Sequence, residues 1–75
     1  MDKKEFKNKL KTFQAKAGCI YTQRKANSIW NEIKDYLEGK EYDKIMIAWS
    51  HYLDCGEGRK ELDGVVNDII SKYKN

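Results

Sequence analysis

The chain has no proline, only two cysteines and five glycines, and no apolar run longer than Ile45-Met46-Ile47-Ala48-Trp49. Without proline, no segment is barred from continuing as helix. Cys19 and Cys55 lack a C-x-x-C spacing, so they make neither a disulfide framework nor a redox motif. Met1-Asp2-Lys3-Lys4-Glu5 leads straight into an amphipathic pattern with no secretory leader, and a reduced, cytoplasmic setting is expected. The apolar run is far below the roughly 20 residues that a membrane span needs, so no membrane partner is expected. Length is scarce too: 75 residues allow one domain. Such a domain buries about 60% of its unfolded surface, which leaves little room for a walled catalytic cleft.

What is present is 40% apolar residues, nine of the 75 side chains aromatic, and a formal net charge of +3. That is too apolar for a disordered chain. The positive charge is concentrated at one end, where Lys3, Lys4, Lys7, Lys9, Lys11 and Lys16 face only Asp2 and Glu5 in the first 16 residues. The remaining 59 residues carry nine basic and ten acidic groups, so no chain-wide nucleic-acid surface is implied.

Gly18, Gly39 and the pair Gly56 and Gly58 divide the chain into four pieces, each with helical periodicity. Phe6, Leu10, Phe13 and Ala17 form the first stripe, behind a D-x-x-E capping signal at Asp2 and Glu5, with Gly18 suited to a left-handed turn. Ala26, Ile29, Trp30, Ile33, Tyr36 and Leu37 form the second, with Thr22 as N-cap and Gly39 as the stop. Ile45, Ala48, Trp49, Tyr52 and Leu53 form the third, capped by Asp43 and ended by Cys55-Gly56-Glu57-Gly58. Leu62, Val65, Val66, Ile69, Ile70 and Tyr73 form the last, despite Gly64. The expected architecture is all-α, a compact four-helix single domain with helices at about 3–16, 23–38, 43–54 and 60–73.

No pattern declares chemistry. His51 and Cys55 are spaced i, i+4, and with Cys19 they have the ligand types of a zinc site, but zinc sites carry paired close spacings and here there is one pair. A Cys55–His51 nucleophile lacks a pocket and oxyanion donors. Asp35 and Glu38 sit on a solvated helix face, with nothing apolar around them to raise a pKa. No catalytic residue, metal or cofactor is therefore expected.

Two features point instead to binding. Lys4, Lys7 and Lys11 line one side of the first helix and form an electrostatic patch for an acidic partner or, secondarily, a nucleic acid. Arg24, Lys25 and Arg59 are too scattered along the chain to extend it. Ile47 projects opposite the Ile45, Trp49 and Tyr52 face, among Lys44, His51 and Asp54. With Met46, and Trp30 at the rim of the second helix, it is the expected anchor of a protein-binding patch.

From Trp30 onward the chain resembles the globular domain of phage replicative-helicase loader and inhibitor proteins. Ile29-Trp30-Asn31-Glu32-Ile33-Lys34-Asp35-Tyr36-Leu37 looks like that family's tryptophan helix, and Tyr42-Asp43-Lys44-Ile45 resembles the aromatic-led start of the next. Trp49-Ser50-His51-Tyr52 is similar to its histidine-containing helix end, and Val66-Asn67-Asp68-Ile69 to its closing segment. Gly56-Glu57-Gly58-Arg59 stands where the family has a Pro-Pro turn. The resemblance implies a non-enzymatic adaptor that binds a replicative helicase or its loader. Phage proteins of similar build also include anti-CRISPR-like inhibitors that bind a host defence nuclease.

Overall fold

The computed structural model describes residues 1–56 and 58–72, and Cys55 by its backbone alone. Four α-helices pack as two hairpins around one core: α1 (Lys3–Ala17) on α2 (Gln23–Ile33), and α3 (Gly39–Cys55) on α4 (Arg59–Ser71), with α1 also against α4. This is the expected all-α four-helix domain, and no strand occurs among the described residues.

The stripes read from the sequence are the core. Phe6, Leu10, Phe13 and Ala17 of α1, Ala26, Trp30 and Ile33 of α2, Ile45, Ala48 and Trp49 of α3, and Leu62, Val66, Ile69 and Ile70 of α4 are all buried. Helix α1 is therefore part of the core and not a detachable arm. Its centre is aromatic: Phe13 stands edge-on to Trp49 with centroids 5.0 Å apart, and Trp30 lies 5.5 Å from Phe13 and 5.9 Å from Trp49. Leu53 and Tyr36, expected on buried faces, are exposed, Tyr52 is half-buried, and Tyr73 lies outside the described residues.

Two helix boundaries differ from the expected ones. Helix α2 stops at Ile33, tightens into a 3₁₀ turn at Lys34–Tyr36, and leaves Leu37 extended so that it folds back onto the core. Helix α3 then begins at Gly39, four residues before the expected start, because Glu38 and not Asp43 is its N-cap. Glu38 and Glu41 form a capping box in which the Glu38 N–H donates to Glu41 Oε1 at 3.0 Å, satisfying a donor that the helix start leaves orphaned.

The α1–α2 turn also departs from expectation. Gly18 has φ −81° and is not left-handed. A Cβ there would lie 2.8 Å from Arg59 Nε, the far end of an exposed side chain that can move aside. Thr22 makes no side-chain cap to α2; its hydroxyl donates back to the carbonyls of Lys16 at 2.6 Å and Cys19 at 3.2 Å. At the other hairpin, Gly58 has φ +99° and approaches α3 so closely that a Cβ would sit 3.1 Å from His51 Cβ and 3.3 Å from the Tyr52 nitrogen.

Gly64 contrasts with both, being helical, exposed and clear of any atom a Cβ would meet within 4 Å. Thermal melts followed by circular dichroism should show Gly64→Ala stabilised by about 0.5–1 kcal/mol, a rise of a few degrees in Tm. Gly58→Ala should melt lower than the parent, since its backbone is left-handed and its space is taken.

Candidate protein-docking groove

Because α3 and α4 bury the Ile45, Trp49 and Val66, Ile69 sides of their surfaces, their outer edges leave an open groove of about 370 Å³ between them. Its apolar floor is Ile47, Val65 and the edge of Ile69. Lys44 stands on the α3 wall, and Glu61 and Asp68 on the α4 wall. Ile47 is 62% exposed, so the described residues leave most of its side chain open.

One end of the groove is closed by charge. Lys72 Nζ donates to Glu41 Oε2 at 2.6 Å and lies 3.9 Å from Glu38 Oε2. Glu41 is only 7% exposed, and its two oxygens are engaged by Lys72 and by the Glu38 N–H. Charge-assisted bonds of this kind offset the cost of burying the carboxylate and tie the start of α3 to the end of α4. Towards the other end, His51 Nδ1 lies 3.3 Å from Glu61 Oε2.

The structure thus brings together Ile47, Lys44 and, through Glu61, His51. It separates the other two expected anchors from them. Met46 is half-buried and packs against the core, and it does not line the groove. Trp30 is 6% exposed, sealed under Tyr42 with centroids 5.1 Å apart as well as by Phe13 and Trp49, and is a core residue that no partner reaches. Trp30 lies at the edge of its helical arc, and the packing of Tyr42 and Trp49 of α3 across that edge encloses it.

The lysine patch of α1 is also weaker than its sequence spacing suggests. Lys4 and Lys11 are exposed and Lys7 is half-buried. Lys4 shares its surface depression with the carboxylates of Asp2 and Glu5, and Asp2 Oδ1 caps α1 by accepting from the Glu5 N–H at 2.8 Å. Lys9 Nζ donates to Glu32 Oε1 at 2.7 Å, a bond that holds the ammonium above its ordinary pKa.

The α4 side of the groove was not singled out from sequence. Its signal is Glu61, Val65 and Asp68 at i, i+4 and i+7, a polar-flanked apolar residue on the edge of the buried stripe. Among the described residues no group of three or more His, Cys, Asp or Glu side chains is placed to hold a metal, and the Cys55 side chain lies outside them. Cys19 is a half-buried free thiol, drawn below its ordinary pKa chiefly by a hydrogen bond from the Tyr21 backbone and then by the Thr22 hydroxyl.

Comparison with known proteins adds no relative: no family model, curated protein or solved structure matches the chain.

Denaturant melts separate buried Trp30 from exposed Ile47. Trp30→Ala should lose about 3–5 kcal/mol, as expected for a truncated core aromatic, while Ile47→Ser should stay within about 0.5 kcal/mol of the parent.

Proposed function

We propose that the protein is a non-catalytic adaptor that binds another protein through the α3–α4 groove; the adaptor role is what the resemblance to helicase loader and inhibitor proteins implies, and the groove is this chain's own feature. The observation that carries this reading is Ile47, a large aliphatic side chain left 62% exposed over an apolar floor between charged walls. A lone exposed residue is ordinary; an exposed anchor beside Val65 and Ile69, rimmed by Lys44, Glu61 and Asp68, has the core-and-rim layout of an interface.

The mechanism is occlusion or recruitment. A partner's apolar side chains displace water from the floor, where a few anchors supply most of the affinity, and the walls set orientation and encounter rate. Preorganisation favours this, because the Glu41–Lys72 pair and the close α3–α4 approach at Gly58 fix the groove before binding. Of the ionisable groups along it, Glu41 is ion-paired with Lys72, and His51 Nδ1 lies 3.3 Å from Glu61 Oε2.

The partner class proposed is a replicative helicase or its loader, met in the cytoplasm, and a host defence nuclease is the second reading. No helix among the described residues is long and apolar enough to cross a membrane. Tagged wild type and Ile47→Asp, incubated with nuclease-treated bacterial lysate at moderate salt and read by mass spectrometry, test the proposal. A helicase or loader retained by the wild type and lost by the folded variant is expected. Recovery of a defence nuclease with the same Ile47 dependence would install the second reading, and identical captures by both proteins would overturn the docking role of the groove.

A further inference from the structure

A second surface, on the α1–α2 turn, displays its side chains in a manner the core does not require. Tyr21 is 93% exposed and its neighbour Ile20 is 69% exposed. The backbone that carries them is nonetheless firmly held. Gln23 Nε2 donates to the carbonyls of Ala17 at 2.7 Å and Cys19 at 2.9 Å, Thr22 Oγ1 donates to Lys16 at 2.6 Å, and the Tyr52 hydroxyl donates to the Gly18 carbonyl at 3.1 Å. A braced turn that points two large apolar side chains at water loses little entropy when something covers them.

The charge near it along the chain has one sign. Between Glu5 and Glu32 the chain contains no acidic residue. Arg24 and Lys25, both exposed, follow the turn in the first helical turn of α2, where positive charge opposes the helix dipole. Arg59, distant in sequence, lies against Gly18 at the start of the turn, with Asp63 Oδ2 at 3.8 Å. The fold thus brings Arg59 to the start of a turn that Arg24 and Lys25 follow.

We infer that this turn is a contact for single-stranded nucleic acid, in which the Tyr21 ring stacks on an unpaired base while Arg24, Lys25 and Arg59 face the flanking phosphates. An open aromatic face on a convex turn can stack only on a base that is not already stacked in a duplex. Two apolar side chains are too few to hold a protein on a bilayer, which takes more than one acyl chain's worth of burial. The contact is separate from the α3–α4 groove and does not depend on what the groove binds.

Fluorescence anisotropy of a labelled oligothymidylate of about 20 nucleotides, titrated with the full chain at about 50 and about 200 mM salt, reads this contact. With three or four phosphates neutralised, affinity should fall roughly 20- to 50-fold between the two salt concentrations. Tyr21→Ala should weaken binding about five-fold or more and Tyr21→Phe should not, since the ring and not the hydroxyl stacks. Arg24→Glu with Lys25→Glu should abolish binding at either salt, and Ile47→Asp should leave it unchanged. If Tyr21→Ala loses its helical circular dichroism, Tyr21→Leu against Tyr21→Phe carries the same aromatic comparison. The inference is overturned by no binding at the lower salt, by Tyr21→Ala or Tyr21→Leu binding as wild type, or by a duplex competing as well as the single strand. It is equally overturned by Tyr21-dependent binding to phosphatidylserine-containing vesicles without binding to the oligonucleotide, which would assign the turn to anionic lipid.

Discussion

The hydrogen bond from Trp49 Nε1 to Gln23 Oε1, 2.8 Å long, is the contact on which the arrangement of this small domain depends. Trp49 sits in the middle of the aromatic cluster, where its ring packs on Phe13 and Trp30, and an indole N–H taken from water there without a partner costs on the order of 1–3 kcal/mol. Gln23 removes that cost with its carbonyl oxygen. Its amide nitrogen simultaneously donates to the carbonyl of Ala17, which the end of α1 leaves open, and to that of Cys19 in the turn. One side chain at the first position of α2 therefore joins the end of α1, the turn after it and the centre of α3.

Both candidate surfaces follow from that junction. Gln23 holds the carbonyls of Ala17 and Cys19, and in the turn that follows Ile20 and Tyr21 face water. With Trp49 drawn inward on α3, the residue two places before it points away from the core. Ile47 is thereby stranded on the outer edge, where α4, pulled close by Gly58, supplies Val65 and Ile69 to complete a groove.

The buried stripe of α1 was legible in full, because Phe6, Leu10, Phe13 and Ala17 repeat with helical period; that of α4 was legible at Leu62, Val66, Ile69 and Ile70, while Val65, read into the same stripe, is half-buried and lines the groove, and Tyr73 lies outside the described residues. Ile47 was legible for the opposite reason, as an apolar residue out of phase with its own helix. The start of α3 was not, since Gly39 reads as a stop and a Glu-x-x-Glu capping box is less familiar than one led by serine, threonine or aspartate. Trp30 was misassigned because a helical projection shows the edge of an arc but not the neighbouring helix that covers it. The gathering of Arg59 against Gly18, and of Glu61 and Asp68 opposite Lys44, depends on which helices become neighbours, and periodicity within one helix carries no such information.

Hydrogen exchange of the Trp49 indole N–H, measured by NMR in the native protein, tests the role of this junction most directly. If Gln23 and Trp49 hold the core and the turn together, that proton exchanges only through opening of the whole domain, with a free energy equal to the stability from denaturant melts. An indole proton that exchanges through a low-energy local opening, while the amides of α1 and α4 remain protected, would show that the turn and α3 are held by something else.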